Sequence, residues 1–232
     1  MRRYDPDDLL AILGEHSFVL EQSAVFRDER VGAAIPRALL IRAEGKVWTG
    51  GVDVNMFQGL TPETGGAVWR RGFELIQGVE DLPFPVIFAA HALTLTWGFE
   101  LALACDLIVA GEGAQFGLVE IVVGLTPSMG GPQRLAEKAG PNRAKDLVMS
   151  GQLFDAATMK EWGVVTRVWP DDEFDAKARK LAARIASGPT VAHAAIFCCS
   201  TMSRTRHQPP FQRLGMLICD SYSGSPRGPP RS

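Results

Sequence analysis

The sequence predicts an α/β fold. Short apolar runs alternate with longer stretches of helical period, and Gly or Pro marks most of the junctions between them. Hydrophobic residues make up 46% of the 232 and charged residues 22%, enough to build one good core with a small appendage.

Residues 7–30 carry a loose helical pattern through Leu9, Leu10, Ile12, Leu13, Phe18, Leu20 and Val25. Ala38 to Ile41 reads as a short buried strand stopped by Glu44-Gly45, and a Gly turn, VWTGGVDVNMF, follows. The spacing predicts a helix over 62–80, with Pro62 near its start and Gly78 near its end. PVIFAA (85–90) reads as a buried strand, 96–98 as a turn, 99–105 as a short helix and 107–110 as another strand. Helices follow over 132–139, with Pro at the first turn and Gly140 behind it, and over 142–150, closed by Gly151. Asp155 caps a third that Gly163 closes. Residues 164–169 read as a strand, and Asp171 or Asp172 opens a long amphipathic helix to about Gly188. From about Phe197 the helical pattern stops, and Pro, Ser, Gly and Arg dominate with a single acid, Asp220. The expected organisation is a core over 1–192 and a divergent, disordered tail over 193–232.

Composition narrows the function. A formal net charge of -2 argues against a nucleic-acid partner. Cys105, Cys198, Cys199 and Cys219 show no CxxC spacing and read as free thiols of a reducing cytoplasm. His16, His91, His193 and His207 have no metal-ligand spacing, so no metal is expected. MRRYDPDD has no apolar segment of the kind a signal peptide needs, and the apolar stretch 84–99 is too short to span a bilayer.

Two carboxylates stand out. Glu100 lies within HALTLTWGFELALACDLIVAG, nearly all apolar except for it and Asp106, and Glu120 lies in the apolar setting of AQFGLVEIVVGL. Burying an ionised carboxylate costs several kcal/mol unless it is paired or takes a proton. Two such groups suit a divided acid and base role, although ion pairs with arginines such as Arg134 would also house them. Gly50-Gly51-Val52-Asp53 and Thr96-Trp97-Gly98 each follow a strand. Two such turns can aim two backbone N–H groups at one oxygen, an oxyanion hole, or can simply be turns. Cys105 and His91 read as packing and hydrogen-bonded core residues.

The segment WGFELALACDLIVAGEGAQFGLVEIVVGLTPSMGGPQRLAEKAG closely resembles the signature of the crotonase superfamily, the enoyl-CoA hydratase/isomerase family. GKVWTGGVDVNMF resembles that family's first oxyanion segment, and GPNRAKDLVMSGQLFDAATMKEWGVVTRVWP its following helices and strand. The resemblance runs from about Leu39 to Gly188. It implies a spiral of repeated ββα units with a helical C-terminal region, assembled as trimers or dimers of trimers. It implies an acyl-CoA thioester as substrate, in fatty acid metabolism, with no cofactor beyond the coenzyme A that the substrate carries. The thioester oxygen would be held by the backbone amides of Val52 and Trp97, with Gly51, Asp53 and Gly98 shaping the substrate site. Glu100 and Glu120 match the two glutamates that activate water in the hydratases. Retention of both favours hydration over the family's other chemistries.

Three departures accompany the resemblance. Trp97 stands in a turn that is usually Gly-rich, which predicts an altered acyl pocket. The opening strand pair of the family is not evident. The tail departs from the family's register, as a frameshift would produce. Two rivals therefore stay open: a catalytically degenerate homologue that binds acyl-CoA or a partner without turnover, and double-bond isomerisation.

Overall fold

The computed structural model describes residues 19–22, 25–27, 34–51, 59 and 61–189. The chain divides into two units, Met1–Gly188 and Pro189–Ser232; apart from Pro189 the second, and with it the expected tail, lies outside the described residues.

A five-stranded sheet runs in the order β1-β4-β5-β7-β10. It comprises β1 (Val19–Gln22), β4 (Leu39–Arg42), β5 (Val86–Ala90), β7 (Leu107–Gly111) and β10 (Arg167–Trp169). Strand β1 pairs antiparallel with β4, and the other pairings are parallel, with Leu39 opposite Val86, Ile87 opposite Leu107 and Arg167 opposite Val109. A two-stranded ribbon joins β2 (Val25–Arg27) to β3 (Ala34–Pro36). A small sheet joins β6 (Thr94–Leu95), β8 (Gln115–Gly117) and β9 (Phe154–Asp155). The helices are α1 (Pro62–Glu80), α2 (Thr96–Ala104), α3 (Gly131–Ala139), α4 (Pro141–Ser150), α5 (Ala156–Glu161) and α6 (Asp171–Ala186), with a 3-10 turn at Glu120–Val123.

The central strands are apolar at every position because both faces of the sheet are covered. Leu40, Ile87, Ala89 and Val109 point one way, onto Phe174, Ala178, Leu181 and Ala182 of α6. Leu39, Ile41, Val86, Phe88, Ala90, Ile108 and Ala110 point the other way, into the larger core with Phe99, Leu101 and Leu103 of α2. This two-residue alternation is the pleat of the strand. Helix α2 has no polar face: residues Gly98 to Ala104 are all buried. Helices α1 and α5 start on side-chain caps. Thr61 and Thr64 form a capping box before Pro62, and Asp155 accepts from the Thr158 N–H at 2.7 Å.

The helical pattern read over 7–30 gives way, where described, to strands β1 and β2, so an opening strand pair is present after all. Each strand holds two apolar residues in three or four positions and gains more by pairing, β1 with β4 and β2 with β3, than by a free-standing helical turn. The 96–98 stretch is not a turn ahead of a helix but the first turn of α2 itself. Strand β10 is shorter than expected and starts at Arg167. Asp171 does not cap α6, whose N-cap is Pro170; its carboxylate instead accepts from the Gly113 N–H at 3.1 Å. His91 lies just past β5 and its Nε2 meets the Gly45 carbonyl at 2.8 Å. Cys105 is buried, with burial holding its thiol well above the usual range. Among the described residues no helix is long and apolar enough to cross a membrane.

Phe88 is fully buried and its ring packs 4.2 Å, centroid to centroid, from Trp48, whose indole N–H donates to the Ala89 carbonyl at 2.7 Å. That anchor sets the path of the 48–51 segment. Phe88→Ala is expected to cost about 3–5 kcal/mol in chemical denaturation.

Candidate active site

The site is assembled where two segments run side by side. The Trp48 and Thr49 amides both donate to the Leu93 carbonyl at 3.0 Å, and the Leu95 amide donates to the Thr49 carbonyl at 3.2 Å. Thr49 bridges Thr94, and its hydroxyl accepts from the Gly51 N–H at 3.0 Å. This ladder brings Gly51 beside the start of α2. The approach is close enough to dictate residue type. A Cβ on Gly98 would lie 2.0 Å from Thr49 Cγ2, and one on Gly51, which has φ +101°, would lie 1.8 Å from Thr96 Oγ1. Thr96 has φ +49°, the only positive value for a non-glycine among the described residues. Its hydroxyl oxygen is buried without a hydrogen-bond partner. A β-branched residue in left-handed backbone with an orphaned polar atom is the kind of local cost that gathers at functional sites.

Trp97 follows in the first turn of α2, where backbone amides point along the axis instead of into the helical ladder. It packs against the buried cluster of Ile76, Ala104 and Met129, and Nε1 lies 3.9 Å from where a Cβ on Gly72 would sit. The Trp97 side chain is partly buried, packed against both this cluster and the main core. Val52 and Asp53 lie outside the described residues.

One helical turn beyond Trp97 stands Glu100, 2% exposed. Its Oε1 accepts two backbone hydrogen bonds, from Met129 at 2.9 Å and from Gly131 at 2.8 Å. Gly131 opens α3, so the carboxyl sits at a helix N-terminus, where the amides and the helix dipole favour negative charge. A Cβ on Gly131 would lie 2.5 Å from Glu100 Cγ and 2.8 Å from Oε1. Despite the two donors, the proton affinity is raised to about 7. Burial is the main cause, and the charge of Glu120 adds to it.

Glu120 begins the 3-10 turn and is half-buried. Its Oε2 is buried with no hydrogen-bond partner, and burial raises its proton affinity too. Arg134, considered above as a partner for these acids, is instead paired with Glu80 at 2.7 Å. The described residues therefore bring Gly51, Trp97, Gly98, Glu100 and Glu120 into one region. Sequence reasoning missed the Met129 and Gly131 amides that hold Glu100. The signal was there in SMGGP, glycines and a proline at a helix start. Among the described residues no group of three or more His, Cys, Asp or Glu side chains is arranged to hold a metal ion.

A family model described as enoyl-CoA hydratase/isomerase matches residues 17–213. Its match starts before β1 and continues past Phe197, where the helical pattern of the sequence stops. The chain is 32% identical over 190 residues to a probable enoyl-CoA hydratase of Bacillus subtilis (strain 168), covering 78% of this chain and 74% of that protein. It is 35% identical over 153 residues to a crotonyl-CoA hydratase of Syntrophomonas wolfei, covering 64% of this chain but only 58% of that protein. The crystal structure of an enoyl-CoA hydratase from Bacillus anthracis superposes with a TM-score of 0.72 at 28% identity, covering 94% of this chain and 78% of that one.

The raised proton affinity of Glu100 has a stability consequence. Between pH 4.5, its ordinary value, and about 7, the folded state binds more protons than the unfolded state. Stability therefore falls as pH rises through that window and stays lower above it. Glu100→Gln keeps an acceptor for both amides and has no charge to bury. Urea denaturation is expected to show the variant level with the wild type near pH 4.5 and more stable by up to about 3 kcal/mol at pH 8. A constant difference at all pH values would contradict this.

Proposed function

This chain belongs to the enoyl-CoA hydratase/isomerase family, and on that premise we propose that it adds water across the double bond of a 2-enoyl-CoA thioester. The observation that carries the proposal is the pair Glu100 and Glu120: two acids whose proton affinity burial raises, with the charge of Glu120 acting on Glu100. A lone buried carboxylate can be structural. Two that act on one another, with the nearby cation Arg134 paired to Glu80, have the makings of an acid and base pair.

In this reading the substrate's thioester oxygen lies against the Trp97 N–H at the head of α2 and against the Val52 N–H. As water adds at C3, negative charge gathers on that oxygen as an enolate. Fixed amides cost no reorganisation when the charge appears, and each such donor is worth on the order of 10²–10³ in rate. The water sits between the two carboxyl groups. One carboxylate takes a proton from it while the other carboxyl, kept protonated by burial, delivers a proton to C2. Both amides at Glu100 go to Oε1. That leaves Oε2 as the oxygen for proton transfer, held in place by the rigidity of its partner. Gly51 and Gly98 give the acyl group a close approach to backbone, and Asp53 fixes the first oxyanion turn. No cofactor is required beyond the coenzyme A of the substrate.

The proposal extends to assembly as a trimer or dimer of trimers in the cytoplasm. Support comes from the surface beside Glu120, where Ile121, Val122 and Val123 are 49%, 74% and 66% exposed in the single chain. Three adjacent exposed β-branched residues favour burial against another surface.

The test is loss of the enoyl-thioester absorbance of crotonyl-CoA on mixing with protein. The wild type is expected to turn over. Glu100→Gln and Glu120→Gln are each expected to lose at least about 10²-fold in kcat, the scale of general acid–base catalysis, while still binding 3-hydroxybutyryl-CoA. Equal rates for wild type and variants would sink the two-carboxylate reading. Binding without turnover by the wild type would favour the non-catalytic alternative.

A further inference from the structure

We infer that Arg134 is a positioning residue that bolts helix α1 to the Met129–Gly131 turn and, through that turn, fixes the carboxyl group of Glu100. The guanidinium is 5% exposed and spans three elements. Its Nε and Nη2 donate to Glu80 Oε2 at 3.1 and 2.7 Å, and Nη2 also donates to Gln77 Oε1 at 3.3 Å, both residues on α1. In the other direction Nη1 donates to the Met129 carbonyl at 3.0 Å.

Met129 is therefore gripped at both ends. Its carbonyl accepts from Arg134, and its amide donates to Glu100 Oε1. The turn leaves no slack beside the guanidinium: a Cβ on Gly130, which has φ +89°, would lie 2.4 Å from Arg134 Nη1. The next residue, Gly131, supplies the second amide to Glu100. A shift of the guanidinium is passed to both donors at once.

A buried ion pair does not explain itself as a stabiliser, because desolvation offsets most of the attraction. What arginine supplies and lysine cannot is a rigid planar fork with donors in several directions. Here that fork reaches α1 on one side and the catalytic turn on the other. The charged groups facing Glu100 are Glu120 from the 3-10 turn and Arg134 from α3, with Glu80 of α1 behind the guanidinium. Arg134 opposes the effects of burial and of Glu120 on the Glu100 proton. The kinetic side of this inference rests on the hydratase reading above; the titration side does not.

The experiment follows the Glu100 carboxyl by carbon-13 NMR in protein labelled at glutamate side chains, with Glu100→Gln assigning the signal. The pH profile of kcat on crotonyl-CoA is measured alongside. Arg134→Met is expected to move the Glu100 midpoint upward by about one pH unit, since it loosens the two amides that favour the charged form and removes a positive charge. Its kcat is expected to fall about tenfold or more with little change in KM. Arg134→Lys should leave the midpoint raised and kcat low, because it returns the charge without the fork that places the two amides. Glu80→Gln should move the midpoint the other way, downward, since Arg134 then acts on Glu100 undiluted; it also serves if Arg134→Met does not fold. A midpoint that stays at the wild-type value in the folded variants, whatever happens to their thermal stability, overturns the inference. If the wild type does not hydrate crotonyl-CoA, the hydratase reading fails, and the NMR titration still decides this one.

Discussion

The structure turns on one arrangement: the Glu100 carboxyl enclosed in apolar surroundings, with one oxygen clasped by the amides of Met129 and Gly131. Two forces meet there. Desolvation drives the group toward its neutral form, while two amides at a helix N-terminus favour the charged one. Neither wins outright, and the balance falls near neutrality, where a carboxyl can both give and take a proton. Either force alone would leave an inert residue, permanently protonated or permanently ionised.

The rest of the fold serves this balance. Apart from Glu100, helix α2 is apolar and buried from Gly98 to Ala104, and its first turn comes to rest against the Thr49–Gly51 segment. The sheet is covered on both faces, which fixes the ends of β5 and β7 between which α2 runs. Helix α3 supplies the Gly131 amide and the Arg134 guanidinium, and the turn ahead of it supplies the Met129 amide. The strain at Thr96 is local and is over-determined by this packing, since Gly51 and Gly98 leave their neighbours no room to relax.

Much of this was legible in the sequence. Strands β4, β5 and β7 stood out because burial on both faces leaves no polar positions, and α1 announced itself through Pro62 and a run of sufficient length. Glu100 and Glu120 stood out for the opposite reason, as acids in largely apolar runs. What escaped notice shares a physical cause. Strands β1 and β2 are too short to carry a period and owe their form to pairing, β1 with β4 and β2 with β3. The start of α2 reads as a turn because Thr and Gly are poor helix formers and Thr96 has left-handed backbone. The donors to Glu100 are backbone groups, which no side chain advertises. Arg134 was visible as a cation, but its partner Glu80 lies 54 residues away, and only folding pairs them.

The most direct test of the central claim is a crystal structure with 3-hydroxybutyryl-CoA bound. The account predicts the thioester oxygen at hydrogen-bond distance from the Trp97 N–H, and the 3-hydroxyl oxygen within reach of both Glu100 and Glu120. It predicts that Glu100 meets the hydroxyl through Oε2 while Oε1 keeps its two amides. A ligand whose hydroxyl touches neither carboxyl group, or whose thioester lies away from the head of α2, would contradict it.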